Sequence, residues 1–385
     1  MTDRRSLASS ARARVRAVLP RRDQVAGDAV AGVPGAVASV PDGMAASVLV
    51  GVSPIHGLIA SFVGPVAGGL TASTSFMVIA TTSASALAAG SVLTGVSPGD
   101  RESALFLLTA LAGAFMVVGG VLRLGRYTRF VSHSVMMGFL TGVAVNIVLG
   151  QLPDLTGTSA NGSSSVAKAL NVVTDPRSID GASLLVGLAA VAILIGLSGT
   201  RLRSVSSVVA LVVPTMVAAL ADLDVARVSD LGDIPQGVPL PAMPELSQLT
   251  IGLVTGALSV AIIVLVQGAG VGESVANPDG SPSDASVDFA AQGWGNIASG
   301  LFQGQPVGGS VGQTAMNVSA GARSRWASIF SGFWMLAILV ALAGVVGKVA
   351  VPTLAAVLIV AAAGAIRTGE VATVWSTGWP SRIVI

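Results

Sequence analysis

Apolar residues fill this chain in long runs, and the polar residues between them are mostly small. A helix needs about 20 apolar residues to cross the hydrocarbon core of a bilayer. Twelve spans of that kind can be marked, starting near residues 24, 54, 72, 102, 130, 181, 204, 250, 288, 310, 326 and 350. The pattern predicts an all-α protein that crosses a membrane many times.

Four spans break the pattern. The third, TASTSFMVIATTSASALAAG, is dotted with Ser and Thr. The tenth lies in FQGQPVGGSVGQTAMNVSAGARSRW, which has five glycines and only two charges, both at its far end. Both are too polar or too short to cross as full helices. The first contains VPDGMA and the eighth VQGAGVGES. Each glycine-rich stretch alone also fits close helix packing through small residues. The irregular segments pair off seven spans apart, and that spacing predicts two inverted repeats of seven with broken helices around a midplane site.

Composition agrees. Of 385 residues, 52% are hydrophobic and 10% charged, against about 25% charged in soluble domains. There is no cysteine, hence no disulfide framework or thiolate metal site, and the two histidines, His56 and His133, are far apart. No cofactor is expected. Seven arginines, Arg4, Arg5, Arg12, Arg14, Arg16, Arg21 and Arg22, precede the first span. They read as a basic cytoplasmic tail over 1–23, not as a nucleic-acid patch. Arg123, Arg126 and Arg129 follow the fourth span, Arg201 and Arg203 the sixth, Arg323 and Arg325 the tenth, and Arg367 the twelfth. The longest connection, 221–249, is acidic. These placements predict a cytoplasmic N-terminus in the inner (cytoplasmic) membrane. In NGSSSV, Asn161 has the form of a glycosylation site, but the Ala/Arg/Gly-rich composition reads as bacterial, so the stretch is taken as an outer loop.

Three stretches carry a family resemblance. VPDGMAASVLVGVSPIHGLIASFVGP (40–65), FVSHSVMMGFLTG (130–142) and AAQGWGNIASGLFQGQPVGGSVGQTAMNVSAGARS (290–324) resemble the sulfate permease family of anion transporters. The resemblance runs from about residue 22 to the end. It implies fourteen helices in two inverted repeats, helices 1–4 and 8–11 forming a core and 5–7 and 12–14 a gate. In this chain that puts the transport domain at 24–385, with core segments at about 24–122 and 250–347 and gate segments at about 123–224 and 350–385. The family pattern continues with two more helices and a STAS domain after SRIVI; on that pattern the second repeat here is truncated after about helix 12. The resemblance also implies a homodimer in the full-length form.

A helix that begins inside a membrane leaves its first N–H groups without partners. An anion can accept them, and the helix dipole favours it. PVGGSVGQTA therefore reads as an extended lead-in followed by a half-helix aimed at an anion, with glycine letting the backbone come close. The resemblance makes VIATTS (78–83) its mate. The expected substrate-binding set is Asp42, Ala80, Thr81, Thr82, Gln267, Gly309, Ser310, Val311, Gly312, Gln313 and Thr314.

Two positions depart from the family. Many members have an acidic residue where Gln267 stands and an arginine where Gln313 stands. If those groups balance each other, losing both is the consistent change, since one unpaired buried ion is strongly destabilising. On this reading an arginine at 313 alone lacks a partner. Asp42 becomes the candidate proton carrier, or else the cap of the second half of a broken first helix. Glu273 is about 240° round the helix from Gln267 and reads as a hydrated carboxylate at the cytoplasmic end. Gly138 and Gly142 read as packing sites of the fifth span.

The expected function is secondary transport of a small anion: sulfate, bicarbonate, chloride, nitrate or a dicarboxylate. A nucleobase permease of the same fold and an uncoupled anion channel are the alternatives. An enzyme is not expected, because the loops hold no recognisable triad, metal cluster or phosphate loop.

Overall fold

The computed structural model describes residues 22–130, 133–159, 165–200, 202, 206–231 and 240–365. The arginines before Arg22, the NGS stretch at Asn161, Arg201, Arg203 and Arg367 lie outside these residues, as does the side chain of Glu273. Most of the chain is helix: α1 (Arg22–Val50), α2 (Ile55–Gly69), α3 (Ser83–Leu93), α4 (Arg101–Val121), α5 (His133–Gly150), α6 (Leu152–Thr156), α7 (Ser165–Thr174), α8 (Gly181–Ser198), α9 (Ser206–Leu220), α10 (Ile251–Ser274), α11 (Ala285–Leu301), α12 (Val311–Ser319), α13 (Trp326–Val346) and α14 (Val351–Ala365). Among the described residues, four helical stretches are long and apolar enough to cross a bilayer on length and composition: Arg22–Val50, Pro98–Val121, Gly181–Ser198 and Ile251–Gly272.

The third and tenth spans are interrupted as expected. Each begins as a four-residue strand, β1 (Val78–Thr81) and β2 (Val307–Ser310), and continues as a short helix, α3 or α12. With 11 and 9 residues, these helices reach about 16 and 14 Å at 1.5 Å per residue, half the hydrocarbon core. The first and eighth spans are not broken. α1 runs unbroken through Pro34 and Pro41, and α10 through Gly268, Gly270 and Gly272. Asp42 therefore caps no helix break. The glycines of α10 serve close approach instead: a Cβ on Gly268 would overlap the Gln292 side chain.

The helix contacts repeat with inverted symmetry. α1 packs on α13 as α10 packs on α4, and α2 packs on α13 as α11 packs on α4; α2 and α11 meet each other. A second group comprises α5, α8, α9 and α14, with α14 against the other three. An apolar cluster joins the groups, with Met44, Leu58 and Phe62 on one side and Ile147, Leu211, Leu354 and Leu358 on the other.

The connections sort onto two faces as alternating spans require. On one face, Asp28 accepts from Arg323 N (2.7 Å) and Ser324 N (3.2 Å). There Asp288 accepts from Ser73 N (2.6 Å) and Thr74 N (2.9 Å), and Arg325 donates to Leu70 O and Ala72 O. On the opposite face, His56 meets Gln303 and Glu102, and Ala242 N donates to Leu301 O.

Glycine brings α4 and α11 into backbone contact. A Cβ on Gly113 would lie 2.6 Å from Gly293 O, one on Gly293 2.7 Å from Val117 N, and one on Gly300 2.7 Å from Phe106 O. Gly142 behaves differently, with open space around it, so it is no packing site within the described residues. Gly293→Val is expected to destabilise by roughly 1–3 kcal/mol or more through overpacking. Gly344→Ala, where nothing lies within 4 Å, should change stability little. Thermal unfolding in detergent compares the two.

Candidate functional site

The two interrupted spans solve their backbone problem together. β1 and β2 pair antiparallel in the register Val78 with Ser310, Ile79 with Gly309, Ala80 with Gly308 and Thr81 with Val307. Extended backbone in an apolar interior must find partners for every N–H and C=O. The facing groups are satisfied largely by this pairing, and outward-facing groups of β2 by side chains. Val307 N donates to Asn296 Oδ1 (3.0 Å), and Asn296 Nδ2 donates back to Val307 O (2.7 Å). Gly309 N donates to Gln292 Oε1 (2.8 Å). Val78 N donates to Thr314 Oγ1 (3.0 Å). The lead-in to β2 is held by Ser299 Oγ on Gln305 O and Ser85 Oγ on Pro306 O.

The register fixes how the half-helices face. α3 leaves from the Thr81 end and α12 from the Ser310 end. The strands are antiparallel, so the helices depart in opposite directions with their positive ends turned toward each other. Three strand steps separate the two ends, about 10 Å. Thr82 caps α3 by accepting from Ser85 N (3.2 Å), and Ser310 caps α12 by accepting from Gln313 N (3.4 Å). Neither cap is a cation. An anion between the two ends meets two dipoles of favourable sign.

The expected residues fall into two clusters around the strand pair. At the start of α3, Thr82 Oγ1 donates to Gln267 Oε1 at 3.1 Å. At the start of α12, Gln313 Nε2 is 3.5 Å from Asp42 Oδ2. Gly312 has open space around it, and Val311 is exposed. Ala80, Thr81 and Gly309 lie within the ladder, and the Thr81 hydroxyl is 3.3 Å from that of Ser61. Thr314 is fully buried with its hydroxyl committed to Val78, so it holds the strand rather than facing the gap. Gln313 Oε1 and, one turn further along α12, both polar atoms of Asn317 are buried without hydrogen-bond partners.

One expectation changes. Gln313 does not stand opposite Gln267 as half of a neutralised pair; its amide is at the Asp42 carboxylate. An arginine at 313 would have Asp42 as partner.

Sequence reasoning missed the scaffold on α11. Gln292, Asn296 and Ser299 bind the backbone of β2 and its lead-in, and Gln292 is itself oriented by donating to Asp288 O. The signal was there: residues 292, 296 and 299 fall on one helix face, spaced i, i+4 and i+7. Polar residues in that stripe within an apolar span announce buried backbone to be satisfied.

Comparison with known proteins follows the same lines. A family model described as the sulfate permease family matches residues 25–380. A "probable sulfate transporter" of Mycobacterium tuberculosis is 28% identical over 354 residues, covering 91% of this chain and 63% of the relative. The chloroplastic sulfate transporter 4.1 of Arabidopsis thaliana is 25% identical over 360 residues, covering 90% and 52%. The chain thus spans under two thirds of the length of these relatives. Among solved structures, the transmembrane domain of the cyanobacterial bicarbonate transporter BicA superposes with TM-score 0.85 at 19% identity, covering 95% of this chain and 94% of that one. The murine Slc26a9 anion transporter in its inward-facing state gives 0.82 at 19%, covering 94% and 64%. These likenesses show the fold.

Asn296→Leu leaves Val307 N and O both without their side-chain partner. About 1–3 kcal/mol of stability should be lost for each buried group left unsatisfied. The expected result is a clear fall in melting temperature, with Ser91→Ala on the exposed end of α3 as a neutral comparison.

Proposed function

The chain belongs to the sulfate permease family, and on that premise we propose that it carries a small anion across the membrane as a secondary transporter. The substrate is of the sulfate, bicarbonate, chloride or dicarboxylate class. It is held between the N-termini of α3 and α12, with Thr82, Gln267, Ser310, Gly312 and Gln313 closest to it. The group α1–α4 with α10–α13 acts as the core, and α5, α8, α9 and α14 as the gate against which it moves. The protein sits in the cytoplasmic membrane with its N-terminus inside.

One observation carries this reading: an antiparallel strand pair feeds two half-helices whose positive ends face one another, and neither capping residue is a cation. Backbone dipoles attract an anion without fixing it to a full opposite charge, which suits a group that must let its ligand go. Asp42 is partly exposed beside Gln313 and is the carboxylate placed to exchange a proton as the anion comes and goes.

Uptake into liposomes from a panel of radiolabelled anions, with imposed pH or sodium gradients, tests it. The expected outcome is saturable uptake with counterflow for at least one small anion. Flux without saturation or counterflow would mean a channel. Sodium should not matter, because Gln267 replaces the carboxylate a hard cation would favour; a marked rise under a sodium gradient would overturn that part.

The Asp42–Gln313 contact predicts a specific coupling. Gln313→Arg should be tolerated with Asp42 intact and destabilising in combination with Asp42→Asn. A double-mutant cycle on melting temperature should return roughly 1–3 kcal/mol of interaction. Simple additivity would mean that the two side chains do not meet. Gln313→Arg should also bind substrate more tightly and turn over more slowly, since the added cation stands beside a dipole of the same sign.

A further inference from the structure

The face that carries His56 holds a cavity of about 400 Å³ between the turn after α1 and the first turn of α4. Gly51, Ser53, Gly99, Arg101 and Glu102 are among its walls. It lies nine residues beyond Asp42 along α1, about 13 Å at 1.5 Å per residue, and so is not the gap between α3 and α12.

Four observations there point to one ligand chemistry. Arg101 makes no ion pair with a carboxylate among the described residues; its Nε donates only a long bond to Val96 O, at 3.4 Å. The neighbouring carboxylate, which also lines the cavity, is turned to an imidazole: Glu102 Oε1 lies 3.1 Å from His56 Nε2, and His56 Nδ1 donates to Gln303 O at 2.7 Å. The Ser53 hydroxyl is buried, at 5% exposure, with no hydrogen-bond partner. Finally, α4 opens at Arg101 directly after the turn Pro98–Asp100, which puts the Arg101 side chain at the cavity wall beside the backbone of Pro98 and Gly99.

We propose that this cavity is a second anion site, separate from the one between the half-helices, and that it takes a small oxyanion or carboxylate. The Arg101 guanidinium is suited to fork onto two oxygens of such a ligand, and Ser53 supplies its free hydroxyl hydrogen. Gly51, with φ +83, and Gly99 keep the backbone clear of side chains at the cavity wall. A bound anion ties the α1–α2 turn to the start of α4.

The chain contains no cysteine, so Gly99→Cys introduces a single thiol on the cavity wall, at a position where a Cβ meets nothing within 4 Å. The full chain carrying this change, in nanodiscs, is labelled with a maleimide while sulfate, and in parallel oxalate, replaces gluconate at constant ionic strength. At ten times its dissociation constant a bound anion should slow labelling about tenfold. Arg101→Gln should abolish that protection, Ser53→Ala should raise the midpoint several-fold, and Gln313→Ala should leave the midpoint where it was. Should Arg101→Gln fail to give monodisperse protein, Arg101→Lys, which keeps the charge but loses the fork, should raise the midpoint instead. Absence of protection by both anions, protection indifferent to the Arg101 and Ser53 changes, or a midpoint that moves with Gln313→Ala each overturns the proposal. None of these readings requires transport to occur, so failure here is distinct from failure of the transport assignment.

Discussion

Backbone amides have no water to turn to inside a bilayer, and two of this protein's spans begin there as extended chain. The antiparallel ladder between Val78–Thr81 and Val307–Ser310 meets that constraint, and much of the fold follows from it. Alternate residues of the two strands satisfy one another, Asn296 and Gln292 take outward-facing groups of β2, and Thr314 takes Val78 N. Once the strands are paired in this register, the helices that follow can only diverge, and their unsatisfied N–H ends can only converge. The geometry that suits an anion is a by-product of satisfying the extended backbone.

The surrounding helices serve this arrangement in two ways. α11 supplies polar side chains to the ladder and, on its glycine-bearing side, lies in backbone contact with α4. α10 brings Val264 against Gly308 and Gly268 and Val271 against Gly309, so the strand pair is closely enclosed on that side. Among the described residues, the second helical group meets the first through an apolar cluster rather than through hydrogen bonds or glycine contacts. Interfaces of that kind permit sliding at less cost than a network of directed bonds, in keeping with one group moving against the other.

Much of this was legible in the residues, though unevenly. The spans and the interruption of the third and tenth are written in apolar run length and in the Ser/Thr and Gly content of those two stretches. The first and eighth misled, because proline and glycine within a helix look the same in sequence whether they break it or merely let a neighbour approach. Pro34 and Pro41 sit inside a continuous α1, and Gly268 admits the Gln292 side chain. Pairings distant in sequence were the least legible. Asp42 and Gln313 are 271 residues apart, and nothing local indicates that the amide turns to that carboxylate rather than to Gln267. The stripe 292, 296 and 299 was readable as a polar face, but its target, the backbone of β2, becomes visible only with the strand in place.

The opposed half-helices also bear on how the protein responds to membrane voltage. α3 and α12 run in opposite directions from one short ladder and are nearly equal in length, so their dipoles along the membrane normal largely cancel. Tilting or sliding the pair as a unit carries little fixed charge through the field. What remains is the charge of the anion itself and that of Asp42, each elementary charge responding with about 2.3 kcal/mol per 100 mV over the full thickness. On the transport reading proposed above, the electrical signature is set by the cargo and that carboxylate far more than by the two half-helices.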